Sequence, residues 1–198
     1  MTFDIGGTLV LAGSGKMGGA MLAGWLARGL APGSVIVQDP SPPPEIRALM
    51  EEHGVRHVSA VDVLDTPPAV IIVAVKPQVM GEVFPPLAKA AGPGTLVVSV
   101  AAGRTIAGFE RYLGPGSAVV RAMPNTPAAI GRGITVCCAN RHVTDRQKAL
   151  CTALLEAVGE VGWVADEALM DAVTAVSGSG PAYVFLLAEA LERAAVEQ

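Results

Sequence analysis

The chain has 198 residues, of which 51% are hydrophobic, 16% charged and 4% aromatic, with a formal net charge of −4. That composition belongs to a folded globular chain, and the length allows one full core and a small appendage rather than two equal domains. Scattered basic residues, the lack of any apolar run near the ~20 residues of a bilayer span and the lack of a basic-then-apolar leader point away from nucleic acid and membrane and toward the cytoplasm.

Short apolar runs rich in β-branched residues recur at Thr8–Ala12, Val35–Asp39, Val70–Val75, Leu96–Val100, Ala118–Ala122, Ile134–Cys138 and Glu160–Val164. Continuous runs with little polar alternation mark strands covered on both faces, hence an α/β fold with a mostly parallel sheet. Helices are expected at Met17–Arg28 before Gly29, from Pro44 to Gly54, and after the capping box Thr144-Asp145-Arg146-Gln147 up to Gly159. Pro85-Pro86 is expected to break the helix in which it falls. Cys137, Cys138 and Cys151, with His53, His57 and His142, show neither disulfide nor metal spacing and are expected to be buried thiols and surface imidazoles.

After Trp163 the pattern turns to helix only: Asp166–Val176, a break at Ser177-Gly178-Ser179-Gly180, and a new helix with Pro181 in its first position. Pro181–Leu191 is apolar on nearly every face, the pattern of a helix buried all round. Nothing earlier in the chain supplies a second helical layer for it. The expectation is a fragment, residues 1–164 forming one domain and 165–198 the start of another, whose partner helices lie in further residues, a second subunit, or both.

The first strand runs into Gly13-Ser14-Gly15-Lys16-Met17-Gly18, a GxGxxG turn opening a helix, with Asp39 at the end of the second strand. Glycines there let a pyrophosphate approach backbone N–H groups at a helix N-terminus, and the acidic residue accepts from a ribose 2′-hydroxyl while repelling a 2′-phosphate. Ser41 can donate to that phosphate, and Asp39 can equally cap the turn that follows it. Ala74-Val75-Lys76-Pro77 and Val100-Ala101-Ala102 sit at the next two strand ends, where open α/β sheets bind ligands, although Lys76 also fits a plain solvated loop. Asn125 and Thr126 lie between two prolines, suited to present an amide and a hydroxyl or to form an Asx turn. Ser177 and Ser179 fit either an anion site for a carboxylate or two N-caps. No metal set and no nucleophile-and-base set appears.

These motifs, GSGKMGGA, VAVKPQ, SVAAGRTI, RAMPNTPA and DAVTAVSGSGPAY, follow one another along the whole chain. Together they resemble the pyrroline-5-carboxylate reductase family. The resemblance implies a Rossmann-type domain binding NADPH or NADH, followed by a helical dimerisation domain through which subunits self-associate. It implies cofactor contacts from Gly13, Ser14, Gly15, Lys16 and Met17 at the pyrophosphate and from Asp39 and Ser41 at the ribose. Ala74, Val75, Lys76, Pro77, Val100, Ala101 and Ala102 would lie along the remainder, with Asn125, Glu167, Ser177 and Ser179 toward the pyrroline. It implies hydride transfer to pyrroline-5-carboxylate, giving proline, with no catalytic acid identifiable in the motif loops. Family members continue past position 198 with a loop that holds the substrate carboxylate, so this stretch is expected to bind cofactor without turnover. The rival readings are a deazaflavin-dependent NADP reductase, a β-hydroxyacid dehydrogenase, and a cofactor-binding redox sensor or scaffold module.

Overall fold

Runs such as Leu9-Val10-Leu11-Ala12 and Val70-Ile71-Ile72-Val73 have no polar side to give to water, and every one of these side chains is buried. Strands of that kind need helices on both faces. The computed structural model, which describes residues 5–61 and 64–197, supplies them. In chain order the elements are β1 (Leu9–Ala12), α1 (Lys16–Ala27), β2 (Val35–Gln38), α2 (Pro44–His53), β3 (Arg56–Val58), β4 (Val70–Val73), α3 (Met80–Ala90) and β5 (Leu96–Ser99). There follow α4 (Ile106–Glu110), β6 (Ala118–Met123), β7 (Gly133–Ala139), α5 (Asp145–Leu155), β8 (Gly159–Val164), α6 (Met170–Val173) and α7 (Gly180–Val196).

The strands form one sheet in the order β3-β2-β1-β4-β5-β6-β7-β8, a Rossmann-type arrangement. Every neighbouring pair is parallel except β6 with β7. One face is covered by Leu22 and Trp25 of α1 and Leu154 and Leu155 of α5. The Trp25 indole N–H donates to the Leu154 carbonyl at 2.7 Å, which satisfies the one polar group of a fully buried ring. The other face is covered by Phe84 and Leu87 of α3 and Phe109 of α4, with Phe84 edge-on to Phe109 at 4.8 Å between ring centres. Thr144 caps α5 as its sequence predicts: its Oγ1 accepts from Gln147 N at 3.2 Å and its own N–H donates to Gln147 Oε1 at 3.0 Å.

Two expectations are corrected. Pro85 and Pro86 do not break α3, which runs from Met80 to Ala90 through both. The carbonyls they deprive of a partner belong to the exposed Gly81 and Glu82, which water can reach, while Met80, Phe84 and Leu87 hold the helix to the sheet. The Ser177–Gly180 segment is likewise no break. Glu167–Leu169 forms a 3₁₀ turn, α6 follows, Thr174–Gly178 widens into a π-helical turn, and α7 continues. As expected from the lack of an earlier helical layer, α7 is left uncovered by the rest of the described chain: Tyr183, Val184, Phe185, Leu186 and Leu187 are each at least 61% exposed. β3 and α4 carry no apolar run long enough to be noticed, β3 being an edge strand whose Arg56 and His57 face solvent.

Candidate functional site

β1 and β4 are neighbours whose following helices leave toward opposite faces of the sheet, α1 to one and α3 to the other. Such a reversal opens a crevice beyond the strand ends. The glycine turn fills its floor. Gly13 has φ +89°, and a Cβ there would stand 2.8 Å from the Ala74 carbonyl oxygen; one on Gly18 would stand 2.0 Å from the oxygen of Gly13. Backbone therefore packs on backbone between β1, α1 and the end of β4, and only glycine permits it. Gly15 differs: it is exposed, its φ is −63°, and nothing lies within 4 Å of an added Cβ. The first N–H groups of α1 turn toward that opening.

Ser14 is fully buried, and its N–H and hydroxyl both donate to Asp39 Oδ2, at 2.7 and 2.9 Å. The half-buried Asp39 carboxylate thus holds both donors of Ser14 and braces the glycine turn. Asp39 Oδ1 accepts from Ser41 N at 2.9 Å, so the turn-capping contact is present as well, and Ser41 itself is exposed at the rim. Beside them Gln38 is 7% exposed; its Nε2 donates to the Ser59 carbonyl, and its Oε1 has no partner among the described residues.

At the next two strand ends, Ala74 N donates to the Ala12 carbonyl and Val100 N to that of Val73, so both loops leave the sheet at the level of the glycine turn. Lys76 and Ala102 are exposed, Ala101 is buried, and the Arg104 guanidinium donates to the Pro77 carbonyl, tying the two loops together. Arg104 was not anticipated, since nothing in its sequence context distinguishes it from a solvated arginine.

Beyond β6, Asn125 Oδ1 accepts from Ile134 N at 2.9 Å and its Nδ2 donates to the Ser177 carbonyl at 3.3 Å. Neither contact is the Asx turn that the sequence also allowed, since both partners are remote in the chain, and the amide instead clasps the π-helical turn to β7. Ser177 Oγ is buried without a partner among the described residues. Ser179 N donates to the Thr174 carbonyl at 2.9 Å, so its backbone N–H is bound into the helix. Glu167 is tied to two further elements, its Oε1 accepting from Ile106 N at 2.9 Å and from Arg121 Nη1 at 3.1 Å. Burial pushes the Cys138 thiol up, and Glu167 and Asp166 add to the effect while Arg121 opposes it. The buried guanidinium of Arg121 left one trace in the sequence, a lone charge inside the apolar run Val119-Val120-Arg121-Ala122.

Residues 8–103 match the family described as NADP oxidoreductase coenzyme F420-dependent, and residues 167–198 match pyrroline-5-carboxylate reductase dimerisation. The pyrroline-5-carboxylate reductase of Pseudomonas aeruginosa is 39% identical over 189 residues, a match covering 92% of this chain and 67% of that protein. The chain belongs to the pyrroline-5-carboxylate reductase family. The Mycobacterium tuberculosis member is 41% identical over 194 residues, covering 95% of this chain and 65% of its own length. Among solved structures, the Coxiella burnetii reductase superposes with a TM-score of 0.85 at 35% identity, covering 96% of this chain and 71% of that one. The Plasmodium falciparum reductase, solved with NADP bound, gives 0.83 at 28% identity, covering 100% and 71%. The chain spans about two thirds of the length of the curated reductases it matches.

Proposed function

We propose that this chain binds NADPH or NADH across the β1–β4 crevice and serves the reduction of Δ1-pyrroline-5-carboxylate to L-proline. The observation that carries this reading is the open face of Gly15 above the α1 N-terminus, in a chain whose Asn125 holds the Ser177 turn at the end of β6. The glycine turn fits a pyrophosphate, since an added Cβ at Gly15 would occupy space that nothing in the chain fills. Gly13, Gly15, Lys16 and Met17 would hold the phosphates, with Ser14 acting from behind through Asp39. Asp39 and Ser41 would flank the adenosine ribose, and Ala74–Pro77 with Val100–Ala102 would line the nicotinamide half.

The cofactor supplies hydride, and the balanced reaction consumes one reduced nicotinamide and one proton per C=N bond converted to CH–NH. The chain's own work is orientation and charge balance, which reaches ~7–11 kcal/mol when reacting groups are well aligned. Asn125, Ser177 and Ser179 are assigned to the imino-acid side of the crevice, Ser177 Oγ being the one buried hydroxyl there with an unused hydrogen bond among the described residues.

Self-association is assigned to α7. Covering Val184, Phe185, Leu186 and Leu187 is worth ~1.5–3 kcal/mol each, and an exposed stripe of this size is otherwise adhesive. No helix among the described residues is long and apolar enough to cross a membrane, in keeping with a cytoplasmic location.

Mixing the purified protein with pyrroline-5-carboxylate and either reduced nicotinamide, while following both cofactor oxidation and proline, tests the reading. Proline formed in step with oxidised cofactor supports the reading and overturns the expectation that these 198 residues bind cofactor without turnover. Tight cofactor binding without proline, here and in a longer chain that includes the family's carboxylate-holding loop, would favour the sensor or scaffold reading, and absence of cofactor binding would overturn both.

A further inference from the structure

Glu167 and Ser177 lie at opposite ends of the short helical run that carries the imino-acid side of the crevice, and each is pinned to the sheet separately. Ser177 is held through Asn125, and Gly178 packs so closely on Met123 that a Cβ there would meet its Cε at 2.6 Å. Glu167 is held through two donors from two further elements. Ile106 N, at the start of α4 and just beyond the Ala101–Arg104 turn, donates to Oε1 at 2.9 Å. Arg121 Nη1, from β6, donates to the same oxygen at 3.1 Å. The second arm of Arg121 reaches Asp171 Oδ1 at 3.2 Å, but that carboxylate side chain is 90% exposed, so the pair is screened and holds little. The Arg121 side chain is only 8% exposed and Glu167 28%, so this pair is the dry one, and a buried guanidinium stripped of its acceptor is costly.

We propose that Glu167 is a positioning residue that fixes the Glu167–Gly178 run against the Ala101–Arg104 turn and so sets the gap between bound imino acid and nicotinamide. This rests on the function proposed above. Both Glu167 contacts use one oxygen as acceptor, and an amide oxygen can replace it. A residue that acts on the substrate by its charge has no such substitute. The glutamine variant therefore separates the two roles.

The experiment compares the parent with Glu167→Gln, Glu167→Ala and Arg121→Lys. Three readouts are taken on the whole chain: NADPH affinity by fluorescence, amide hydrogen exchange, and kcat and KM for pyrroline-5-carboxylate. With Glu167→Ala, exchange at Ile106 and across Met170–Gly178 should quicken by about tenfold or more, and kcat should fall by a similar factor. NADPH affinity should stay within about twofold of the parent, because the glycine turn is untouched. Glu167→Gln should restore both exchange and kcat to within about threefold of the parent. Arg121→Lys, which keeps the carboxylate but shortens the reach, should resemble Glu167→Ala and covers the case in which that variant does not fold. Glu167→Gln losing as much kcat as Glu167→Ala, with exchange unchanged, would overturn the proposal in favour of a charge acting on the substrate. Unaltered exchange in Glu167→Ala would overturn it outright. A parent that turns over no substrate contradicts the proposed reaction instead, and exchange in the alanine and glutamine variants still decides whether Glu167 is the strut.

Discussion

Replacing Gly15 by alanine separates the folding role of the glycine turn from its binding role. Gly15 has φ −63°, which any L-residue adopts, and no atom lies within 4 Å of the new methyl group. A glycine-to-alanine change at a compatible site stabilises by ~0.4–1 kcal/mol through the unfolded chain. At about 2–4 °C per kcal/mol for a chain of this size, Tm should hold or rise slightly. In the proposed pyrophosphate site the methyl group would stand where phosphate oxygens reach the α1 N–H groups, and a loss of about tenfold in NADPH affinity, ~1.4 kcal/mol, is expected. Gly15→Asp adds like-charge repulsion of roughly 1–4 kcal/mol at 4 Å, depending on how wet the site is. Gly18→Ala is the counterpart, since its Cβ would stand 2.0 Å from the Gly13 oxygen. Overpacking of that kind costs ~1–3 kcal/mol, which lowers Tm by about 2–12 °C. Fluorescence titration alongside calorimetry reads both quantities. Parent affinity in Gly15→Ala would show that no phosphate lies over Gly15, and parent Tm in Gly18→Ala would show that the close backbone packing does not hold the turn.

Asp39→Ser removes the carboxylate proposed to flank the ribose and loosens its grip on Ser14, so affinity for both cofactors should drop while the preference moves toward NADPH by ~1 kcal/mol; an unchanged ratio of dissociation constants would show that Asp39 does not read the ribose. Pro86→Ala restores a backbone donor on the solvent side of α3 and should raise stability, by less than the ~3 kcal/mol that separates the two residues in a helix interior because proline also stiffens the unfolded chain; a lower denaturation midpoint would contradict this account of the helix. The Cys151 thiol is held well above its ordinary range by its hydrogen bond with Cys137 and by burial, and Cys138 is raised by burial. Stability from these thiols is thus full below the unfolded value of ~8.5 and declines as pH rises toward the folded values. At about pH 8 native iodoacetamide labelling should be far slower than labelling of the unfolded chain, and equal rates would refute the assignment.

The sheet was legible because its central strands leave no polar side for water: Leu9–Ala12, Val70–Val73 and Leu96–Ser99 announce themselves as doubly covered. The turn at Gly13–Gly18 was legible because only glycine fits the backbone contact with Ala74. What stayed hidden depends on tertiary context. Two prolines survive inside α3 because burial of Phe84 and Leu87 outweighs local propensity. Glycine-serine alternation at Ser177–Gly180 signals a break by composition, yet the backbone carries its hydrogen bonds straight through. Glu167 lies 46 residues from Arg121 and 61 from Ile106 in sequence, so no spacing rule could reveal that its carboxylate is already spoken for.

The widened turn at Thr174–Gly178 joins two parts of the molecule. Its bond from Ser179 N to the Thr174 oxygen spans five residues where an α-helix spans four. Each residue of an α-helix advances ~100° around the axis, but the widened turn takes up its surplus residue by seating Ser179 where an α-helix would seat the residue before it. Deleting one residue from the turn would therefore leave Tyr183–Leu191 facing nearly as they do, whereas deleting one from the regular turns after Gly180 would swing the residues beyond it by more than a quarter of a revolution. The turn thus lets Gly178 press on Met123 without changing the direction in which the apolar helix faces.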